Sequence, residues 1–508
     1  MLRDPTASIL ALTALFAACS TDSESLAAST ETGANPGEAG TGGSTGASVD
    51  QAGEDAGTGD VDDGEGTLES EDIDWDAELG IIFPQDHVVD IVIAPPPGDW
   101  DALLSQWDEA SSKVWYATRL QYDDDVLNPV GMRLKGWSTL LYGTGYGGGP
   151  AAPGNSDPAG KFPLKIDFDR YEGPHYHNLD RVALNNNWAD ISYMRTRLAS
   201  RMYESMGVPS SSTAYGRATV DGRDAGLYTI VQPIDRPFLR SRFGSANHAN
   251  DGNLYKIVYS DTEIGSLVWR GDAKEDYVST THCKGGTLEC GILLKTNTED
   301  ENANDYEDLI SFIDVLNHSA DAEFSEKIDA RFDVDSFLRQ AAVNVAISSF
   351  DNYFGMGHNY YLYRRPTDDR FIMIPWDLNE TYAGHPCGED MLRYDVHDPV
   401  CNQRGHDFVL ARRILAVPAF RQAYLGYVEE VASQWLTPEV HRTWVSEFEY
   451  LIRDHIATDP NYIAELSDWL TAIGDAPPSG ENLGGHGGVE YNLLDFVTRR
   501  SAAILSQL

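Results

Sequence analysis

Basic residues are scarce: 37 Lys and Arg stand against 80 Asp and Glu in 508 residues, a formal charge of −43. So acidic a chain repels phosphate backbones, which argues against nucleic acid as a partner. The shortage is greatest over residues 20–74, which hold fifteen Asp or Glu but no Lys, Arg or aromatic residue. The remainder of that stretch is mostly Gly, Ser, Thr and Ala, with too little apolar surface to offset the entropy of ordering. Residues 20–75 therefore read as an acidic, disordered linker. DVDDGEG within it has its oxygen ligands out of register for a calcium loop. Internal repeats are absent, and beyond the N-terminus no apolar run approaches membrane-spanning length.

Cysteine is scarce too, with five in all. Setting Cys19 aside leaves Cys283 and Cys290 in HCKGGTLEC, and Cys387 and Cys401 in CGEDMLRYDVHDPVC. An even number in an exported chain favours two local disulfides, although three pairings remain open. Zinc is the rival, but neither pair has the two-residue spacing of a zinc knuckle.

At the N-terminus Arg3 is followed by ASILALTALFAAC, an apolar stretch from Ala7 to Cys19 that ends in small residues. It is too short to span a bilayer and has the make-up of an export signal. Ala17-Ala18 before Cys19 resembles a bacterial lipobox, with Phe16 where Leu is usual. Residues 1–19 are thus expected to be a lipoprotein-type signal peptide, with Cys19 the acylated first residue of the mature chain. The expected location is the cell envelope, at the outer membrane or cell surface, with the membrane held through the lipid. An ordinary cleaved signal with an incidental cysteine is the alternative.

Ordered sequence begins near Trp75. KFPLKIDFD alternates, with Phe162, Leu164, Ile166 and Phe168 on one face and Lys161, Lys165 and Asp167 on the other, the pattern of a half-buried strand. DISYMRTRLASRMYESMG carries apolar residues at helical spacing between Asp190 as N-cap and Gly207 as C-cap. Asp221-Gly222 divides two strand patterns and predicts a hairpin. VDSFLRQAAVNVAISSF is an apolar helix, and the chain beyond Gly384 is mainly helical. Strands early and helices late indicate an α+β fold.

The informative segment is NYYLYRRPTDDRFIMIPWD, a hairpin about the turn Pro366–Asp369. It places Asn359 opposite Trp376-Asp377, and opposed residues have Cβ atoms about 5 Å apart. One amide oxygen and one carboxylate there can share a divalent cation. Asp351, eight residues before Asn359, can accept the proton of an attacking hydroxyl. Helix, Asp, loop, Asn, hairpin, Asp is the order of base and two metal ligands in protein kinases. Taken singly, each residue could instead serve a turn or cap. His175 and His177 in HYH more often lie idle, and His358 is expected to orient the loop. His397/Asp398 has no serine in a nucleophile elbow to accompany it.

Seven segments in order resemble the spore-coat-protein-H (CotH) kinase family: VGMRLKGWST, GKFPLKIDFD, ALNNNWADISYMRTRLASRMYESMGVP, VDGRDAGLYTIVQPID, GNLYK with LLKTN, FDNYFGMGHNYYLYR and IPWDLNETYAG. The resemblance implies an atypical protein-kinase-like bilobal fold, with a core over residues 80–401 and a helical part of the same domain over 402–508. It also implies ATP as co-substrate with Mg²⁺ or Mn²⁺, Asp351 as the catalytic acid–base residue, and Asn359 and Asp377 as metal ligands. Lys165, or alternatively Lys161, would hold the nucleotide phosphates. Arg133, Lys135 and Ser138 would lie near them, and Gln232 would face the adenine. Departures are Trp137 where the family has Asn, Gln232 for a common Glu, and Asn379 for a second Asp. The expected activity is transfer of a γ-phosphoryl group to Ser or Thr of an exported protein. An inactive surface module and a metal-dependent hydrolase are the rival readings.

Overall fold

The structure is a computed structural model. It describes residues 73–101, 114–136, 161–171 and 175–508, except 261, 282, 284–288, 386, 389, 403–404, 463 and 477–490. The proposed signal peptide, Cys19, most of the acidic linker and Ser138 lie outside the described residues.

The first part is strand-rich. Seven strands close into a barrel: β1 (Val89–Ala94), β2 (Tyr116–Tyr122), β3 (Asp125–Leu134), β4 (Leu164–Asp167), β5 (Arg181–Asn185), β6 (Thr213–Val220) and β7 (Arg223–Val231). Neighbours run antiparallel except β1 and β6, whose parallel pairing closes the ring. The alternation in KFPLKIDFD is borne out, since Phe162, Leu164, Ile166 and Phe168 all pack into the barrel core. Asp221 and Gly222 both take positive φ, as a two-residue hairpin turn requires, and join β6 to β7.

A second sheet has the order β12-β11-β8-β10-β9, with β8 (Leu254–Val258), β9 (Val278–Ser279), β10 (Cys290–Leu294), β11 (Tyr360–Arg365) and β12 (Arg370–Pro375). The larger core gathers around this sheet and the helices α1 (Arg195–Ser205) and α2 (Val334–Ala346). α1 starts later than expected, with Met194 and not Asp190 as its N-cap, because the residues after Asp190 form turns whose bends Asp190 holds by accepting from Ser192 N and Arg195 N, both at 3.0 Å. Gly207 follows its end at φ +71°. Among the described residues from Val409 onward the chain is mainly helical, including α3 (Pro438–Thr458) and the terminal α4 (Leu493–Leu505). The expected mixed α+β class is what is found. Barrel closure was not expected from the sequence. Both local disulfides are present, Cys283–Cys290 and Cys387–Cys401, with Cα atoms 5.3 and 5.8 Å apart. Among the described residues no helix is long and apolar enough to cross a membrane.

Candidate functional site

The loop between α2 and β11 is held from below. Asn352 donates from Nδ2 to Asn344 Oδ1 at 2.8 Å and to the Ser349 carbonyl at 3.1 Å, and it accepts from Phe354 N at 2.9 Å. Its carboxamide therefore caps the short helical turn Tyr353–Met356. Gly355 lies so close to the Phe350 carbonyl that an added Cβ would sit 2.1 Å from it. These contacts fix the position of Asp351.

Asp351 is mostly covered, and His358 and Asn359 hold its carboxylate. Its Oδ1 lies 2.7 Å from His358 Nε2, and its Oδ2 accepts from Asn359 Nδ2 at 3.0 Å. The same Asn359 nitrogen donates to the Asp351 carbonyl at 2.9 Å. With its nitrogen so engaged, Asn359 has its Oδ1 as the atom to offer a cation. The hairpin register puts Tyr360 opposite Pro375, and Trp376 N donates to the Asn359 carbonyl at 3.1 Å. Asn359 and Asp377 both adopt left-handed backbone, at φ +54° and +61°. Such conformations cost energy outside glycine and cluster at functional sites.

Asp377, just past the end of β12, is open to solvent on one side and bordered by protein on the other. Burial by that protein pushes its carboxyl above the usual range; Lys135 opposes the shift, Asp351 and Glu380 reinforce it, and His358 opposes it weakly. A carboxylate crowded by two others is relieved by a cation. The donor set of Asn359 Oδ1 and the Asp377 carboxylate therefore fits a hard divalent ion such as Mg²⁺ or Mn²⁺.

The cations are distributed less as expected. The charge of Lys135 acts on Asp377, and its Nζ donates to Asn185 Oδ1. Lys165 sits on β4 between Arg133 and Ala183 and is half-buried; its charge acts on Asp167 and Asp235. Arg133 is buried with its guanidinium 5.0 Å from the centre of the Trp115 ring. Two of the expected nucleotide contacts need correction. Lys161 is sealed inside the protein, 2.7 Å from Asp459 Oδ2 and 2.9 Å from the Tyr193 hydroxyl, so its ammonium has no open side for a phosphate. Gln232 is fully buried and turns its Oε1 to Arg242 at 3.3 Å, so its side chain does not face a nucleotide.

Several neighbours escaped the sequence reading. Asn185 and Glu380 gave no signal of their own, because cross-strand and loop juxtaposition brings them in. Asn379 donates to the Trp188 carbonyl at 3.2 Å, tying the exit of β12 to the start of the α1 segment. His358 does orient the loop, as expected, and it does so by gripping the Asp351 carboxylate. Both histidines of HYH have carboxylate partners, His177 with Glu78 at 3.1 Å and His175 with Asp180 at 2.9 Å.

Comparison with known proteins gives a consistent family match. The family described as "CotH kinase protein" matches residues 152–502. Inner spore coat protein H of Bacillus subtilis (strain 168) is 26% identical over 290 residues, 57% of this chain and 72% of its own length. An inner spore coat protein H-like protein of the same organism is 22% identical over 279 residues, 54% of this chain and 69% of its own. Among solved structures, a Shewanella oneidensis MR-1 HipA–HipB–operator complex matches 68% of this chain and 62% of that chain, at 12% identity and a TM-score of 0.26. That last likeness is too loose to carry weight.

Proposed function

This chain belongs to the CotH kinase family, and from that membership we propose that it is a metal-dependent protein kinase acting on exported proteins. The observation that carries the proposal is the Asp351–Asn359 contact at 3.0 Å, held at the mouth of the hairpin beside Asp377. Mg²⁺ or Mn²⁺ bound by Asn359 and Asp377 would supply positive charge to the phosphates of ATP. In this reading Asp351 would accept the proton of a Ser or Thr hydroxyl as the hydroxyl oxygen bonds to the γ-phosphorus and the bond to the ADP oxygen breaks. His358 holds Asp351 by its other oxygen and so keeps the accepting oxygen in one orientation. Lys135 and Lys165 are the remaining phosphate-anchoring candidates on the strand side. Lys135 has electrostatic support, since its charge acts on Asp377.

The acceptor is expected to be a secreted or surface protein, in keeping with the lipoprotein-type N-terminus. Incubating the purified chain with γ-labelled ATP, Mn²⁺ and a generic protein acceptor tests the reading. Labelling should fall about a hundred- to ten-thousandfold in Asp351→Ala, the usual worth of a positioned base, and should vanish in Asp377→Ala. Undiminished labelling by Asp377→Ala would reject the metal assignment. Phosphate release without acceptor labelling would indicate the hydrolase instead.

A further inference from the structure

A second cluster of ligating groups lies on the outer face of the barrel, and nothing in the phosphoryl-transfer reading uses it. Alternate residues of a strand share a face, so Lys165, Asp167 and, just past the end of β4, Asp169 project to the same side. Phe168 N donates to the Asp180 carbonyl at 2.7 Å, which brings the start of β5 alongside. The turn before β5, closed by the Tyr176–Leu179 bridge, brings in His175. One oxygen each from Asp169 and Asp180 and one nitrogen from His175 lie within 4.8 Å of one another. His175 Nδ1 is 2.9 Å from Asp180 Oδ1 and 3.4 Å from Asp169 Oδ2.

Acidic groups gathered at a surface would mean little by themselves. Here a buried carboxyl stands behind them. Asp167 is 1% exposed; its Oδ2 takes Arg181 Nε at 2.7 Å, while its buried Oδ1 meets no N–H donor among the described residues. That carboxyl is in hydrogen-bond contact with the carboxyl of Asp169. Two carboxyls so placed must share a proton or repel each other, and a cation can take the place of that proton. A cation satisfies all these groups together.

We propose that Asp169, His175 and Asp180, backed by Asp167, bind a divalent transition-metal ion of the Zn²⁺ or Mn²⁺ kind. The imidazole ligand disfavours Mg²⁺ and Ca²⁺, which take oxygen almost exclusively. Ligand atoms around a tetrahedral zinc ion stand about 3.3 Å apart, so the pairs at 2.9 and 3.4 Å need only slight adjustment. Bound there, the ion ties the end of β4 to the turn ahead of β5 and braces that edge of the barrel.

Calorimetric titration of the full chain, stripped of metal and free of nucleotide, tests the site. Asp377→Asn serves as the background, because it removes the other candidate centre. One equivalent of Zn²⁺ or Mn²⁺ should bind to it and raise its melting temperature, and Mg²⁺ should not. Adding His175→Ala, at a side chain 63% exposed and so dispensable for folding, should weaken binding roughly tenfold or more. Adding Asp169→Asn should do the same, with circular dichroism confirming the fold. Unchanged affinity in both double variants, or no metal uptake by Asp377→Asn, would overturn the proposal.

Discussion

Asp459 to Ala is the most discriminating single substitution this fold offers. Asp459 follows α3 and enters the end of the barrel, where Oδ2 accepts from Lys161 Nζ at 2.7 Å and from Leu227 N at 2.8 Å. Its Oδ1 accepts from Asn461 N at 2.8 Å. The two charged side chains are 2% and 0% exposed. Burial lowers the Lys161 pKa to about 8, and Asp459 is the main influence holding it up. Without Asp459 the ammonium keeps only the Tyr193 hydroxyl at 2.9 Å and the faces of two tyrosines. Breaking a buried pair by removing one partner costs about 3–5 kcal/mol.

Urea denaturation at neutral pH should therefore show Asp459→Ala losing roughly that amount, about 3–5 kcal/mol. Lys161→Met should also destabilise, because it strands a buried carboxylate. The double variant should lose clearly less than the two single losses added together, the mark of direct coupling. The cycle also separates the possible roles of the lysine. If Lys161→Met retained full stability yet abolished phosphoryl transfer, the lysine would be a phosphate anchor and the present assignment would fail. A loss below about 1 kcal/mol in Asp459→Ala would equally refute the reasoning, since exposed pairs are worth that little.

Two further outcomes are expected. His358→Ala should lower kcat about a hundredfold with KM for ATP nearly unchanged, because a freed Asp351 carboxylate swings out of line; an unaltered kcat would remove His358 from the site. His441 is buried against the Tyr382 hydroxyl at 3.0 Å, and burial lowers its pKa to about 4. The unfolded chain binds that proton near pH 6.5, so this contribution to stability is present above 6.5 and is lost as pH falls toward 4. At roughly 1.4 kcal/mol per unit the loss approaches about 3 kcal/mol. Stability measured across that window should be flatter in His441→Phe than in the native chain, and parallel curves would contradict the assignment.

What could be read from the residues alone was local. The alternation of KFPLKIDFD, the Asp221-Gly222 turn, the glycine after α1 and the two cysteine pairs each depend on neighbours a few positions away, and all are found; the start of α1 was misplaced, with Met194 and not Asp190 at the cap. The Asn359–Trp376 pairing was also legible, because a short hairpin fixes its own register. Family membership rested on the same kind of signal, short segments in order.

Long-range geometry decided the remainder. Alternation shows that a strand has one buried face, but it does not say how many strands surround that face. Closure depends on β1 pairing in parallel with β6, more than a hundred residues away, and no local pattern encodes that contact. Two lysines four positions apart in KFPLK were both candidates for the phosphates, Lys165 the preferred one. The fold sends one into a buried pair 298 residues distant and leaves the other on the strand face. A charge has no periodicity that reveals its partner; only the folded chain brings Asp459 to Lys161, and His175 to Asp169 and Asp180.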